Sequence, residues 1–199
     1  MTTWHILAIA LGTGTGAALA ILLALNLRRP HLCLWPAEPG WRRALMLWLF
    51  RGYCVSMIAA AGLSVAIHGL GAWPRYVIGA PIMLGAYALS LWAYKALGRE
   101  NTYFGIDGLV TGGVYACSRN PGYVASLAAA LGLAVVAGSL VALGFAAGLF
   151  AVYFLFALNE ERSLSTWYGR AFRDYARSTP RFLDRRSLDR ALAGVAGRN

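Results

Sequence analysis

Two polar stretches interrupt a chain that is otherwise strongly apolar. The first, Leu109–Tyr123, reads LVTGGVYACSRNPGY, and the second, Asn159–Tyr175, reads NEERSLSTWYGRAFRDY. Between them they supply a guanidinium (Arg119), an amide (Asn120), two adjacent carboxylates (Glu160, Glu161) and several tyrosines. A guanidinium offers a planar fork that grips a carboxylate in two places, and a carboxylate holds an ammonium or a sugar hydroxyl. Aromatic faces attract cations. Such a set suits a pocket for a small zwitterionic or cationic molecule. The plainer alternative is salt bridging of the two carboxylates to Arg119 and Arg162 at an interface. Glu160 and Glu161 are expected to abut the end of an apolar helix, where the helix dipole disfavours anions, so either account requires positive partners.

The elements that position these residues are membrane helices. Of 199 residues 59% are hydrophobic and only 13% charged, and the mean hydropathy is +0.56. Soluble domains carry roughly 25% charged residues, so a soluble fold of this length is excluded. Three cysteines cannot form an even disulfide framework. A hydrocarbon core of roughly 30 Å takes about 20 apolar residues as helix. Spans are predicted over 4–27, 44–68 and 76–97, with Pro81 near the start of the third. The run Tyr123–Leu158 would be roughly 54 Å long as one helix, too long for one crossing and short for two. Gly138-Ser139 near its middle is the natural turn, which divides the run into short spans 123–137 and 140–158. The expected fold is an all-α integral membrane protein of about five transmembrane helices, a single domain over 1–199. A cytoplasmic amphipathic cap at its C-terminus and a catalytic half over 98–183 complete it. The hairpin returns the two polar blocks to the same membrane face.

Charge supports this count. With the C-terminal tail in the cytoplasm, sixteen of the 18 basic residues lie on that side, nine of them tail arginines. Arg75 alone lies outside, and Arg51 falls within a span. That is the asymmetry expected of cytoplasmic loops. The net charge of +10 therefore points to anionic lipid headgroups at the basic tail rather than to nucleic acid. Leu164, Trp167, Tyr168, Phe172 and Tyr175 share one helical stripe, with Arg170, Arg173 and Arg177 opposite, which predicts an interfacial helix able to roof a pocket.

Other features read as structural. Gly12 and Gly16 in GTGTG suit close helix packing rather than a nucleotide loop. His5, His31 and His68 lack ligand-like spacing, so no metal site is expected. Trp4, Trp35, Trp41 and Trp73 fit an interfacial belt. Arg51, about two turns into a span, needs a partner or water and is a candidate for binding a substrate phosphate or carboxylate.

The pattern Gly113, Tyr115, Arg119-Asn120-Pro121, Tyr123, then a hydrophobic hairpin, then Glu160-Glu161, Leu164, Tyr168-Gly169, Phe172 and Tyr175, closes with Pro180-Arg181-Phe182-Leu183. It resembles the isoprenylcysteine carboxyl methyltransferase family, whose superfamily also holds the phospholipid methyltransferases. The likeness covers about residues 85–183. It implies a bacterial-type membrane methyltransferase, in the inner membrane, with S-adenosylmethionine as cofactor at the cytoplasmic ends of the last helices. Gly113, Tyr115, Arg119, Asn120, Pro121, Tyr123, Glu160 and Glu161 would bind the cofactor, and Arg119, Asn120 and Glu161 would be catalytic. Arg51 and Tyr168 would meet the acceptor, a lipidic carboxylate or lipid amine entering from the bilayer. The family carries His where this chain has Asn120, which cannot accept a proton as a base. A membrane reductase of the sterol-reductase type using NADPH, and a non-catalytic membrane subunit, are the alternatives.

Topology is directly testable. In intact cells an impermeant thiol reagent should label Ser139→Cys and Arg75→Cys, and leave Ser118→Cys and Ser165→Cys unlabelled. Outside labelling of Ser165→Cys would break the five-span topology.

Overall fold

The computed structural model describes residues 2–69, 73–98, 101, 108–185 and 187. Part of the expected 69–75 turn, and Arg99, Arg186, Arg190 and Arg198 of the charge count, lie outside these residues. Among the described residues helix is the only extended regular structure. The helices are α1 (Thr3–Arg28), α2 (Trp41–His68), α3 (Trp73–Leu97), α4 (Pro121–Ala137) and α5 (Leu140–Ser178), with 3₁₀ turns at Pro30–Leu32 and Gly113–Ala116.

Four helices are long and apolar enough to cross a membrane, and α4, with 17 residues, is the short fifth. At 1.5 Å per residue α4 reaches about 25 Å, so the bilayer must thin beside it or the neighbouring helices must cover its ends. The surface is that of a membrane protein. Ile21, Val55, Ile58, Val77, Ile82 and Leu84 face outward, because lipid tails solvate them as well as a core does.

The hairpin forms as its residues dictate. Pro121 occupies the first turn of α4, where its missing N–H is no loss. Gly138 ends the helix with φ +57 and ψ +38, and its N–H returns to the carbonyls of Ala134 and Val135. A side chain is strained in that left-handed conformation, which is why glycine stands there. Pro81, expected near the start of its span, lies inside α3, which begins at Trp73.

Helix α5 is the hub. It packs against α1, α2 and α4, while α1 pairs with α2 and α3 with α4. Phe145 and Tyr53 meet edge to face at 5.5 Å beside Gly12 and Gly16, so these two glycines serve helix packing, while Gly14 has nothing within 4 Å. Helices α3 and α4 approach backbone to backbone. A Cβ on Gly132 would lie 2.6 Å from the Met83 nitrogen, and one on Gly79 would lie 2.8 Å from the Val136 nitrogen.

The apolar stretch 140–158 does not end α5. The helix runs on for a total of 39 residues to Ser178. The dipole penalty expected at Glu160 and Glu161 therefore does not apply, because both lie well inside a helix. A break at Gly169, with φ +52 and ψ −116, redirects the last part.

Gly132→Ala should destabilise the protein by about 1–3 kcal/mol, since the obstruction is backbone that cannot move aside. The drop in thermal midpoint in detergent measures it. Gly85→Ala, with nothing within 4 Å of the new Cβ, should leave the midpoint unchanged or slightly raised.

Candidate active site

The two polar blocks meet at one end of the bundle around a cavity of about 290 Å³, close to the lower end of the usual range for small-molecule sites. Its lining includes the polar Arg119, Asn120, Glu160, Glu161 and Tyr168 and the largely apolar Trp35, Pro36, Leu47, Phe50 and Phe156. Leu164, Trp167, Tyr168, Phe172 and Tyr175, the whole stripe expected on the C-terminal helix, line the same cavity. The stripe reaches the cavity because α5 continues past the apolar stretch and bends at Gly169, between Tyr168 and Phe172.

A double ion pair ties the blocks together. Arg119 Nη2 lies 3.1 Å from Glu161 Oε1. Arg181 donates from Nε to Glu161 Oε1 at 2.7 Å and from Nη2 to Oε2 at 2.8 Å. The Glu161 carboxylate holds the Arg181 guanidinium above its ordinary pKa. Backbone bonds reinforce this crossing. The Arg119 N–H donates to the Pro180 carbonyl at 2.9 Å. Asn120 Nδ2 and Ser118 Oγ both donate to the Arg181 carbonyl, at 3.0 and 3.3 Å. Tyr175 donates its hydroxyl to the Tyr115 carbonyl at 2.6 Å. Two guanidiniums thus share one carboxylate, and Arg119 Nε is buried with no hydrogen-bond partner. A buried donor without an acceptor is costly, and an anion brought to this guanidinium would relieve that cost.

Glu160, two residues past the apolar stretch, has different company. Tyr123 donates its hydroxyl to Glu160 Oε1 at 2.5 Å, and Trp35 Nε1 donates to the same oxygen at 3.1 Å. Neither bond involves Oε2. Burial raises the carboxyl to about 7, against the two hydrogen bonds, which lower it, with the Glu161 charge adding to the rise. Glu160 therefore changes charge in the neutral range. An aromatic wall stands beside it, with Tyr123 stacked on Tyr153 at 4.4 Å and Trp35 against Phe156 at 4.7 Å. Such faces favour a cation.

Of the residues singled out in the sequence, Tyr115, Arg119, Asn120, Tyr123, Glu160, Glu161 and Tyr168 come together in the cavity wall. Gly113 and Pro121 do not line it. Gly113 opens the 3₁₀ turn at φ +61 and Pro121 opens α4, so both act on backbone shape. Burial holds the Tyr115 phenol well above its usual pKa, keeping it a neutral donor to the Ala93 carbonyl at 3.3 Å.

Arg51 is not brought to the cavity. Leu47 and Phe50 of α2 line it, while Arg51 is exposed, with its guanidinium 5.7 Å from the Trp48 ring centre. The helical step of about 100° from Phe50 turns it away. Trp35 departs the other way. Trp4, Trp41 and Trp73 are exposed as belt residues should be, but Trp35 is 7% exposed and bonds Glu160. Arg181 was legible only as part of a closing motif, with no role attached. Tyr94, Tyr153 and Phe156 were hidden in apolar runs, and only a fold could single them out.

The phospholipid methyltransferase family matches residues 74–171. That segment starts in the first turn of α3 and contains the first polar block and the second as far as Ala171, and it excludes Trp35, Phe172, Tyr175 and Arg181. No curated protein and no solved structure matches the chain significantly. With the motif residues gathered in one cavity of a membrane bundle, residues 74–171 match the phospholipid methyltransferase family, consistent with the superfamily that the motif resembles.

Proposed function

We propose that the protein transfers a methyl group from S-adenosylmethionine to a lipophilic acceptor that enters the cavity from the bilayer. The observation that carries this reading is the buried, unpartnered Nε of Arg119. Its neighbouring Nη2 is already held by Glu161, so the guanidinium is oriented and one donor edge is left for the cofactor's carboxylate. Glu160, whose Oε2 accepts from neither Tyr123 nor Trp35, would take the ammonium. Glu161 is engaged by two arginines and serves to aim Arg119 instead. The aromatic wall suits the sulfonium.

When bound, S-adenosylmethionine supplies an electrophilic methyl whose sulfonium charge disperses as transfer proceeds. The protein's share is positioning and exclusion of water. Trp167, Phe172 and Tyr175 line the cavity as well. Leu47, Phe50 and Pro36 offer a greasy surface to the acceptor's hydrocarbon part. Asn120 spends Nδ2 on the Arg181 carbonyl and cannot act as a base. A carboxylate acceptor needs none, while an amine must arrive deprotonated or release its proton to Glu160. The cytoplasmic placement of this end, and contact of exposed Arg170, Arg173 and Arg177 with anionic headgroups, complete the reading.

Isothermal titration of the purified protein with S-adenosylhomocysteine and with NADPH separates the methyltransferase from a reductase, and no binding of either points to a non-catalytic subunit. Arg119→Ala should weaken S-adenosylhomocysteine binding at least tenfold, about 1.4 kcal/mol. Unchanged affinity in a folded variant would return the two blocks to salt bridging alone.

The pH dependence has a definite sign. Glu160 is neutral below about 7 and ionised above it, and an ammonium binds the ionised form. Affinity for S-adenosylhomocysteine should therefore fall as pH drops through 7, by up to about tenfold per unit, and level off above it. Glu160→Gln should flatten the profile. A wild-type profile flat across pH 6–8 would place the ammonium elsewhere.

A further inference from the structure

We propose that Trp35 and Asn26, which lie outside the family match, are positioning residues for Glu160: Asn26 pins the chain after α1 so that the Trp35 indole fixes the carboxylate. Where it concerns cofactor affinity, this inference rests on the reading above.

The geometry is a chain of satisfied contacts. Asn26 is 6% exposed and uses its whole amide. Its Nδ2 donates to the Trp35 carbonyl at 2.6 Å and to Asn159 Oδ1 at 2.8 Å. Its Oδ1 accepts from the Leu34 N–H at 2.8 Å. Asn159 precedes Glu160 in α5 and is 2% exposed. It donates to the carbonyls of Leu155 and Leu23, at 2.8 and 3.2 Å. The amide pair thus holds three things in register: the end of α1, the backbone at Leu34–Trp35, and the turn of α5 that carries Glu160. Trp35 completes the circuit through Nε1.

Such a pair has a reason beyond packing. Two buried amides are costly unless every donor and acceptor is met, and a fully met pair admits few alternative arrangements. Residues 30–40 contain only one short 3₁₀ turn, so without Asn26 little backbone bonding would dictate where Trp35 sits.

The consequence falls on charge. Facing Glu160 are Tyr123 from α4, Tyr94 from α3, Tyr115 from the 3₁₀ turn, and Glu161 and Tyr153 on its own helix. Arg119 and Arg181 are drawn to Glu161. From α1 and α2 come only Asn26 and the apolar Phe50 and Leu47. No cation is bonded to Glu160 among the described residues. Its two donors are neutral, and the indole N–H, unlike the phenol, can only donate. It therefore favours the ionised form and cannot stabilise the protonated one as an acceptor.

The test reads Glu160 directly, without ligand. Infrared difference spectra across pH should show a carboxylic acid C=O band that disappears with a midpoint of about 7 and is absent in Glu160→Gln. Trp35→Phe keeps the ring against Phe156 and removes only the N–H. It should move the midpoint up by about one pH unit. S-adenosylhomocysteine affinity should then fall about fivefold at pH 7 and return to the parent value near pH 9. Asn26→Ala or the milder Asn26→Ser should move the midpoint the same way, and neither should add to the shift of Trp35→Phe. An unmoved midpoint in Trp35→Phe overturns the proposal. Additive shifts, or failure of both Asn26 variants to fold, overturn the part assigned to Asn26. If the midpoint moves but the parent binds no S-adenosylhomocysteine, the positioning stands and the cofactor reading falls.

Discussion

The Glu161 carboxylate shared by Arg119 and Arg181 is the contact on which the site depends. It joins three pieces far apart in sequence: the turn before α4, the middle of α5, and the extended segment after α5. Arg181 takes the carboxylate in a two-point grip, while Arg119 holds it by one nitrogen. The inequality has a consequence. The stronger grip anchors the segment around Pro180, and the weaker leaves Arg119 oriented yet incompletely satisfied. Partly buried pairs of this kind add little net stability, because desolvation offsets much of the attraction. Their use is geometric, and here the geometry is an oriented arginine whose buried Nε has no partner.

That arrangement requires a helix that does not stop at the membrane surface. Were α5 to end near Leu158, Glu160 and Glu161 would sit among unmet carbonyls, in the least favourable field for an anion. Continuing past both carboxylates to the break at Gly169 and on to Ser178, the helix meets the carbonyls around Glu160 and Glu161 and brings aromatic residues to the cavity. The cavity then has a mixed lining. Aliphatic, aromatic and ionic side chains all line it, and Glu160 is bonded to the aromatic Tyr123 and Trp35. A molecule with a charged head and an apolar remainder matches that lining, whereas a freely soluble polar one matches only part of it.

How much of this was readable from the chain follows from what encodes each feature. The hairpin turn was legible because Gly138 must supply a left-handed conformation midway along an apolar run of unusual length. The meeting of the two blocks followed from that turn. The cavity stripe from Leu164 to Tyr175 was legible because helical periodicity shows it. Arg51 was misread because depth in a span can be counted while rotation about the helix cannot: one residue separates Phe50, in the cavity wall, from Arg51, on the exposed face. Trp35 was misread for a related reason. A tryptophan near a membrane interface is ordinarily a belt residue, and only a long-range contact to Glu160 distinguishes it. Arg181 stood in plain view, but it lies past the end of α5 and beyond the break at Gly169, where helical periodicity no longer links it to Glu161.

The division between legible and hidden parts follows a division of labour in the molecule. The half that carries the family pattern supplies the charged groups, whose types and spacing survive in sequence as a motif. The half that lacks it supplies Asn26, Trp35, Leu47 and Phe50, which act through burial, shape and single hydrogen bonds. Groups of that kind can be exchanged for others of similar volume without leaving a pattern, whereas a guanidinium facing a carboxylate cannot. The ionic lining is therefore where a common reaction step would be conducted. On the proposed methyltransferase reading, Trp35, Leu47 and Phe50 would tell one acceptor from another, because their fit can change without disturbing the Arg119–Glu161–Arg181 contact.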